Sequence, residues 1–489
     1  MVSRRIIMSQ NQQVQMQQMK KGKRTSCLLI LLCLVQFVSA QVALPADTLR
    51  LSHKEFLSIV KQYHPLAFRY RLENDIAKAE LQQARGNFDP LITAKDGKKT
   101  IDGIDYYQES NIGLEIPTWY GVSLSGSYNN IEGQRLNNSD TRGGLYQFGV
   151  TVPLAKGLLF DQRRALLQQA RAALQMTAAE QQLLTNALFR DAETAYWDWV
   201  RYYELYQLQK QAVDINVKRL AMIKKTFDYG ERAAIDTTEA LAQLRSYELE
   251  REDAYLQFMN ATAELSLFLW KDQQEPFNLR QPIVPSDELI ASEAYDNYPS
   301  LMTKLNTTDL NAHLSLVYYQ QKGSFLETER RLKWQSFLPK LDFTYNLFNK
   351  EGYRSEYFPL FQNNYQYGLK LEIPVFLRQA RAGYQMAKAK IGQNQIDLSL
   401  KEQELQVKIS NYSNEVQNYN TQINLADRNL ENYQRLLMGE ESRYSNGESS
   451  LFLINSRQNK MIEAQEKVIE LRFKFLKGYA ELKYLADSF

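Results

Sequence analysis

Tyr146-Gln147-Phe148-Gly149, followed by a short apolar run ending at Pro153 and then by a very long helical pattern, decides how this chain is read. The same order returns at Tyr365-Gln366-Tyr367-Gly368, with an apolar run ending at Pro374 and a second very long helical pattern. Each long pattern ends at a turn glycine. The separations Gly149–Gly230 and Gly368–Gly447 are 81 and 79 residues. A strand, a proline, a helix of nearly fixed length and a turn, given twice, indicate one structural unit duplicated.

The N-terminus separates from the rest. Arg4, Arg5, Lys20, Lys21, Lys23 and Arg24 precede an apolar stretch, Cys27 to Val38, and the small-residue sequence Val38-Ser39-Ala40. This pattern predicts a secretory signal over residues 1–40 with cleavage before Gln41. An apolar stretch of about 12 residues is too short to span a bilayer, which needs roughly 20. Cleavage removes both cysteines, Cys27 and Cys33, so the mature chain has no disulfide or thiol chemistry. It also lowers the formal charge from +3 to −3, and nothing then points to nucleic acid as a partner. No other segment has 18 consecutive apolar residues. Entry into a membrane would therefore require a closed β-barrel.

Residues 47–87 read as helix, interrupted at His64-Pro65. Period-two alternation follows over 91–153: Ile112, Leu114 and Ile116, then Val122, Leu124, Gly126 and Tyr128, with turns such as Asn137-Asn138-Ser139-Asp140. From 158 to 228 the pattern is helical; about 70 residues make a helix of about 105 Å. Such a helix must run along partner helices. A helix about half as long covers 233–270, and a proline-bearing connector (Pro276, Pro282, Pro285, Pro299) covers 271–298. The second half repeats the order: helix over 300–337, strands over 341–348 and 365–375, a long helix over 376–444 and a half-length helix over 450–485. Long helices beside stacked half-length pairs give a bundle of even height.

The cleanest period belongs to Ile409, Tyr412, Val416, Tyr419, Ile423, Ala426, Leu430, Tyr433 and Leu437, a heptad seam for left-handed packing. Asn411, Asn414, Gln417, Asn418, Asn420, Gln422 and Asn424 surround it; such an amide face suits a water-filled interior and, equally, an outer solvated surface. Tyr196-Trp197-Asp198-Trp199 with Tyr202-Tyr203 reads as inter-helix packing.

Four to six strands, far apart in sequence, cannot close a membrane barrel of at least about eight. Several chains together can. Here the motifs reach a family. His64-Pro65-Leu66 and Tyr298-Pro299-Ser300-Leu301 read as helix starts, and Leu338-Pro339-Lys340-Leu341-Asp342-Phe343 as helix-to-strand. Glu372-Ile373-Pro374-Val375-Phe376 reads as strand-to-helix. Phe227-Asp228-Tyr229-Gly230 and Tyr444-Ser445-Asn446-Gly447 read as tip turns. Together, in this order over the whole mature chain, they resemble the TolC-type outer-membrane efflux proteins.

That resemblance implies an α+β membrane protein built from two repeats, 41–280 and 281–489. Three chains would share one transmembrane β-barrel of about twelve strands, about four from each. A long coiled-coil barrel of helices would extend through the periplasm. The protein would be a homotrimer in outer-membrane lipid, an exit duct of a tripartite efflux system, with a periplasmic adaptor protein and an inner-membrane pump as partners. Its tips, Gly230-Glu231-Arg232 and Gly447-Glu448-Ser449, would meet the adaptor. The periplasmic constriction would involve Asp236, Tyr444, Leu453 and Ser456. Where some relatives carry acidic rings, this chain has Leu453 and Ser456, so a hydrophobic ring at Leu453 would gate by dewetting. Asp236 and Tyr444 fit a hydrogen-bonded closure, and equally a helix-start acid and a core tyrosine.

Strand-region aromatics (Trp119, Tyr120, Tyr146, Phe148, Tyr365, Tyr367) suit an interfacial girdle or, alternatively, a core position. From Pro90 to Gly149 the first half spans 59 residues, from Pro339 to Gly368 the second spans 29. The excess holds a hairpin-like stretch, 111–130, turning at Pro117-Thr118-Trp119-Tyr120-Gly121, which either adds strands to the barrel or folds over its rim. His53, His64 and His313 have no metal-ligand spacing, and no phosphate loop or nucleophile elbow is present. No cofactor, metal or catalytic residue is expected, and no enzyme. The reading from another class is a periplasmic or surface coiled-coil scaffold without transport activity.

Overall fold

A computed structural model describes residues 49–137, 140–272, 275–277, 283–286, 290–307, 309–351 and 364–487. The leader assigned to 1–40, the turn residues Asn138 and Ser139, and Pro282 lie outside these. In chain order the elements are β1 (Leu49–Leu51), α1 (His53–Tyr63), α2 (Pro65–Gly86), β2 (Leu91–Ile101), β3 (Ile104–Pro117), β4 (Ser123–Glu132), β5 (Gly143–Pro153), α3 (Gln162–Asp228) and α4 (Ala234–Ser266). There follow β6 (Ile283–Pro285), α5 (Ile290–Thr307), α6 (Leu314–Gln335), β7 (Lys340–Lys350), β8 (Tyr365–Glu372), α7 (Arg378–Ser445) and α8 (Leu451–Leu485). The chain divides into two compact units; the smaller comprises Met1–Arg50 and Leu279–Val284, whose described residues belong to β1 and β6, a paired two-stranded ladder. The repeated strand–proline–helix–turn segments that begin at Tyr146 and Tyr365 lie in the larger unit, to which the rest of the description refers.

The two halves have closely matched helices. α2 and α6 have 22 residues each, α3 and α7 have 67 and 68, α4 and α8 have 33 and 35. The sequence expectation of one helix over 300–337 is corrected. Asp309 turns its side chain onto the Asn311 amide at 3.0 Å, and a 3-10 turn, Leu310–Ala312, separates α5 from α6. Side-chain-to-backbone bonds of this kind compete with continued helix. Pro299 therefore sits inside α5 and opens no helix. The counterpart of His64-Pro65 is His313-Leu314. The His64 ring accepts from the Leu66 amide at 3.2 Å, and the His313 ring accepts from the Ser315 amide at 3.1 Å, so each histidine caps a 22-residue helix.

The half-length helices stack in pairs beside the long ones. α2 and α4 both pack on α3, and α6 and α8 both pack on α7. α3 also packs against α6 near the sheet and against α8 farther away. At the second joint, Asp487 ends α8 and accepts from the Leu314 amide at 3.0 Å, pinning α6 above it. Below that joint Leu316, Leu405 and Leu485 form a buried cluster. The aromatic run of α3 is core, as its spacing predicts: Trp199 and Tyr196 are buried, the Trp199 indole donating to Thr262 Oγ1 at 2.9 Å and the Tyr196 hydroxyl to the Leu51 carbonyl at 3.1 Å. The heptad seam of α7 also stands: Val416 and Ile423 are buried, the other seam positions half-buried, and Asn411, Asn414, Gln417, Asn418, Asn420, Gln422 and Asn424 exposed.

Among the described residues the sheet has six antiparallel strands in the order β2-β3-β4-β5-β7-β8, two more than the family expectation of four. The sequence excess supplies the difference. β3 pairs with β4 along ten consecutive positions, Gln108–Pro117 against Ser123–Glu132, so the additional hairpin belongs to the sheet. Register places side chains on two contrasting faces. Ile92, Ile112, Leu114, Leu124, Tyr128, Tyr146, Phe148, Val150, Tyr345, Tyr367 and Leu369 share one face. Thr93, Asn111, Ser125, Ser127, Gln147, Thr344, Asn346 and Gln366 share the other. The apolar face is open: Ile92, Phe148 and Leu369 are 74%, 55% and 63% exposed.

Trp119 has a different role from its strand neighbours, stacking on Phe88 at 4.1 Å where α2 meets the β3–β4 turn. At the same joint Arg164, in the first turn of α3, donates to the carbonyls of Gly157 (2.6 Å) and Leu158 (2.9 Å). Gly121 adopts φ +83° there, and a Cβ would lie 2.8 Å from the Arg164 guanidinium, so glycine is needed for both backbone and space. No described helix is long and apolar enough to cross a membrane.

Candidate functional site

The long helices end farthest from the sheet, and both end alike. Gly230 (φ +77°) donates to Phe227 and Glu231 to Thr226, at 2.8 and 3.0 Å; Gly447 (φ +80°) donates to Tyr444 and Glu448 to Arg443, at 3.1 and 2.9 Å. These are paired reversals of the kind that close helix C-termini. A Cβ on either glycine would meet nothing within 4 Å, so backbone angle alone selects glycine. Gly230, Glu231, Gly447 and Glu448 are exposed, Arg232 and Ser449 half-buried. The Ser449 hydroxyl is bonded to Glu440 at 2.6 Å, and Ser450 caps α8 through the Leu453 amide.

The structure brings the two tips together through Tyr444. The Arg232 guanidinium carbon lies 4.2 Å from the Tyr444 ring centroid, within cation–π range. Burial pushes the Tyr444 hydroxyl above its usual pKa; Arg232 opposes that shift and the nearby Asp236 adds to it. Asp236 is half-buried in the first turn of α4. Leu453 and Ser456 are exposed in the first turns of α8; Ser456 borders a cavity of about 550 Å³ between α4 and α8, lined also by Glu239, Phe452 and Asn455. Phe452, not singled out from the sequence, is more exposed than Leu453, 68% against 38%.

A ladder of polar ties behind the tips was not legible residue by residue. Arg219 on α3 donates to Gln458 on α8, to Glu441 on α7 at 3.2 Å and to Asn216 on its own helix at 3.3 Å. Asn459 on α8 accepts from two α4 side chains, Gln243 at 3.0 Å and Tyr247 at 2.5 Å. Asn455 donates to Glu239 at 3.1 Å, and Gln209 to Glu466 at 2.8 Å. Burial pushes the Tyr247 hydroxyl up to about 12, so it remains a donor at neutral pH. The available signal was the appearance of Asn455 and Gln458 beside Leu451, Ile454 and Ile462 on the buried stripe of α8. Buried amides demand partners.

These ties join α3 and α4 of one half to α7 and α8 of the other. They consist of hydrogen bonds and one guanidinium, which water can replace. Among the described residues no group of three or more metal-ligating side chains occurs.

Residues 327–486 match the family model for outer membrane efflux proteins. No curated protein matches the chain. Among solved structures, the outer-membrane channel OprN is 11% identical, with 89% of this chain and 90% of that one covered at a TM-score of 0.61. The CmeC outer membrane channel of Campylobacter jejuni is 12% identical, with 89% and 86% covered at 0.60. The outer membrane protein VceC of Vibrio cholerae is 12% identical, with 89% and 95% covered at 0.60. At these identities the likeness is one of fold. The resemblance read from the sequence holds, and the fold is that of channel proteins.

Proposed function

From a C-terminal stretch that matches the outer membrane efflux family, on a fold shared with solved outer-membrane channels, we propose that this chain is the exit duct of a tripartite efflux system. It sits in the outer membrane as a homotrimer and extends into the periplasm. It takes solutes from a periplasmic adaptor and an inner-membrane pump. The observation that carries this reading is the two-faced sheet: an exposed apolar face backed by a face of hydroxyls and amides, as a wall between lipid and water requires. A soluble scaffold has no use for so large an exposed apolar face.

The helices supply matching support for a trimer. On α7, Ile396, Leu400, Val407, Leu425 and Leu436 are exposed and lie within about 20° of one line at 3.6 residues per turn. That line runs roughly opposite the seam residues Val416 and Ile423. At the other edge of the helical layer, Phe68, Leu72 and Ile76 on α2 and Leu249, Leu256 and Met259 on α4 are also exposed. A neighbouring copy would cover both edges, α7 of one against α2 and α4 of the next, closing the helices into a tube. The repeats 41–280 and 281–489 would each contribute one long helix and one stacked pair to it.

In this reading Gly230-Glu231-Arg232 and Gly447-Glu448-Ser449 meet the adaptor, and the polar ladder behind them holds the mouth narrow. Asp236, Tyr444, Leu453 and Ser456 stand around that mouth. Leu453 and Phe452 give it an apolar rim.

The double variant Leu400→Glu/Val407→Glu tests the interface. Both side chains point away from the packed core, so the monomer should fold. Each buried, unpaired carboxylate costs several kcal/mol, about 3–5 in measured cases. Detergent-solubilised trimer should fall at least about tenfold by native mass. A trimer at wild-type yield would rule out this face as the contact.

A further inference from the structure

Resting on the duct reading, we infer that the barrel closes with eighteen strands, six from each of three copies, β2 of one copy pairing with β8 of the next. The sheet itself is the basis. β2–β3 is not a flap over the rim. Its strands pair from Leu91–Glu115 upward and continue without a gap into β4. Its alternation is also in phase with the rest, Ile92, Ile112 and Leu114 standing on the same face as Phe148 and Leu369. A hairpin folded over the mouth would lose that phase, because a shift of one residue reverses every side chain.

Directions agree as well. β2 leaves α2 and runs away from the helices; β8 runs back towards them and into α7. Brought together from two copies, the edges are antiparallel, as in every other pair of this sheet. They are also the edges that continue into α2 and α7, the helices with exposed apolar stripes, so one neighbour covers strand and helix edges together. Among the described residues β2 and β8 end the sheet. Unpaired backbone groups on these strands are not tolerated in hydrocarbon. A second copy, whose complementary edge is the same sheet's other side, satisfies both.

Barrel width grows roughly linearly with strand number, so this barrel would be about 1.5 times as wide as a twelve-stranded one. The outer-membrane section would then be a broad aqueous pore, and resistance would concentrate at the helix tips.

Disulfide trapping tests the closure. The only native cysteines, Cys27 and Cys33, fall in the stretch expected to be cleaved as a signal, and the cysteine-free parent Cys27→Ser/Cys33→Ser lets introduced thiols report cleanly. One cysteine on the polar face of β2 (Leu91, Thr93, Lys95 or Gly97) is combined with one on the same face of β8 (Gln366, Gly368, Lys370 or Glu372), because barrel tilt sets the register between copies. Control pairs join the β8 positions to Ser125→Cys or Ser127→Cys on β4. After oxidation in isolated outer membranes, at least one β2–β8 combination should give covalent trimers at ten times the level of any β4–β8 pair. Links from β4 to β8, or an intact trimer with no β2–β8 link at any register, overturn eighteen-strand closure. A parent protein that is not a trimer fails the duct reading instead, and native mass distinguishes the two.

Discussion

Phe148→Arg is expected to abolish assembly in the outer membrane. Phe148 lies on β5 in the middle of the apolar face, 55% exposed, in one row with Gly126 and Leu347. None of the described residues covers it fully, and in the proposed trimer its neighbour is lipid. An arginine near the bilayer midplane costs about 2–4 kcal/mol, incurred three times in a trimer. The total, roughly 6–12 kcal/mol, is as large as the stability of an ordinary domain. Trimer recovered from the outer-membrane fraction should drop more than tenfold. Ser127→Arg provides the contrast. It lies on the adjacent strand but on the opposite face, where a long cation reaches water, and assembly should stay within about twofold of wild type. Equal loss in both variants would mean that the faces do not separate lipid from water.

Arg219→Ala/Asn459→Ala is expected to open the periplasmic mouth. Arg219 is the junction of three helices, bonded to Gln458, Glu441 and Asn216, with its side chain 12% exposed. Asn459 gathers Gln243 and Tyr247. A hydrogen bond to a charged group contributes about 1.5–3 kcal/mol and a neutral one about 0.5–1.5. Truncation also strips Gln458 of the Arg219 donor and Tyr247 and Gln243 of the Asn459 acceptor, a loss that water makes good once the helices separate. The closed arrangement should therefore lose several kcal/mol per chain, while the core around Trp199 and the sheet is untouched. Single-channel conductance in planar bilayers should rise several-fold with trimer yield unchanged. Unchanged conductance would place the closure elsewhere, at the apolar rim of Leu453 and Phe452.

Much of the fold was legible because two periods are hard to mistake. The heptad of α7 and the alternation from Ile112 to Tyr128 each fix a face, and the glycines at 230 and 447 fix the ends. The break at Asp309–His313 was missed because a single Asp and His, acting on nearby amides, outcompete an otherwise helical pattern. The six-stranded sheet was left open because phase between strands depends on pairing, which spacing does not specify. The candidate site was half legible. Turn glycines declare themselves through backbone geometry; Arg219 meets Gln458 and Tyr247 meets Asn459 across 239 and 212 residues, and neither pair had a local signature.

Separating the membranes of cells that make the unaltered protein, and measuring the native mass of what is found, decides whether the chain is an outer-membrane duct. A trimer in the outer-membrane fraction, released only by detergent, is expected. A soluble periplasmic monomer would contradict it.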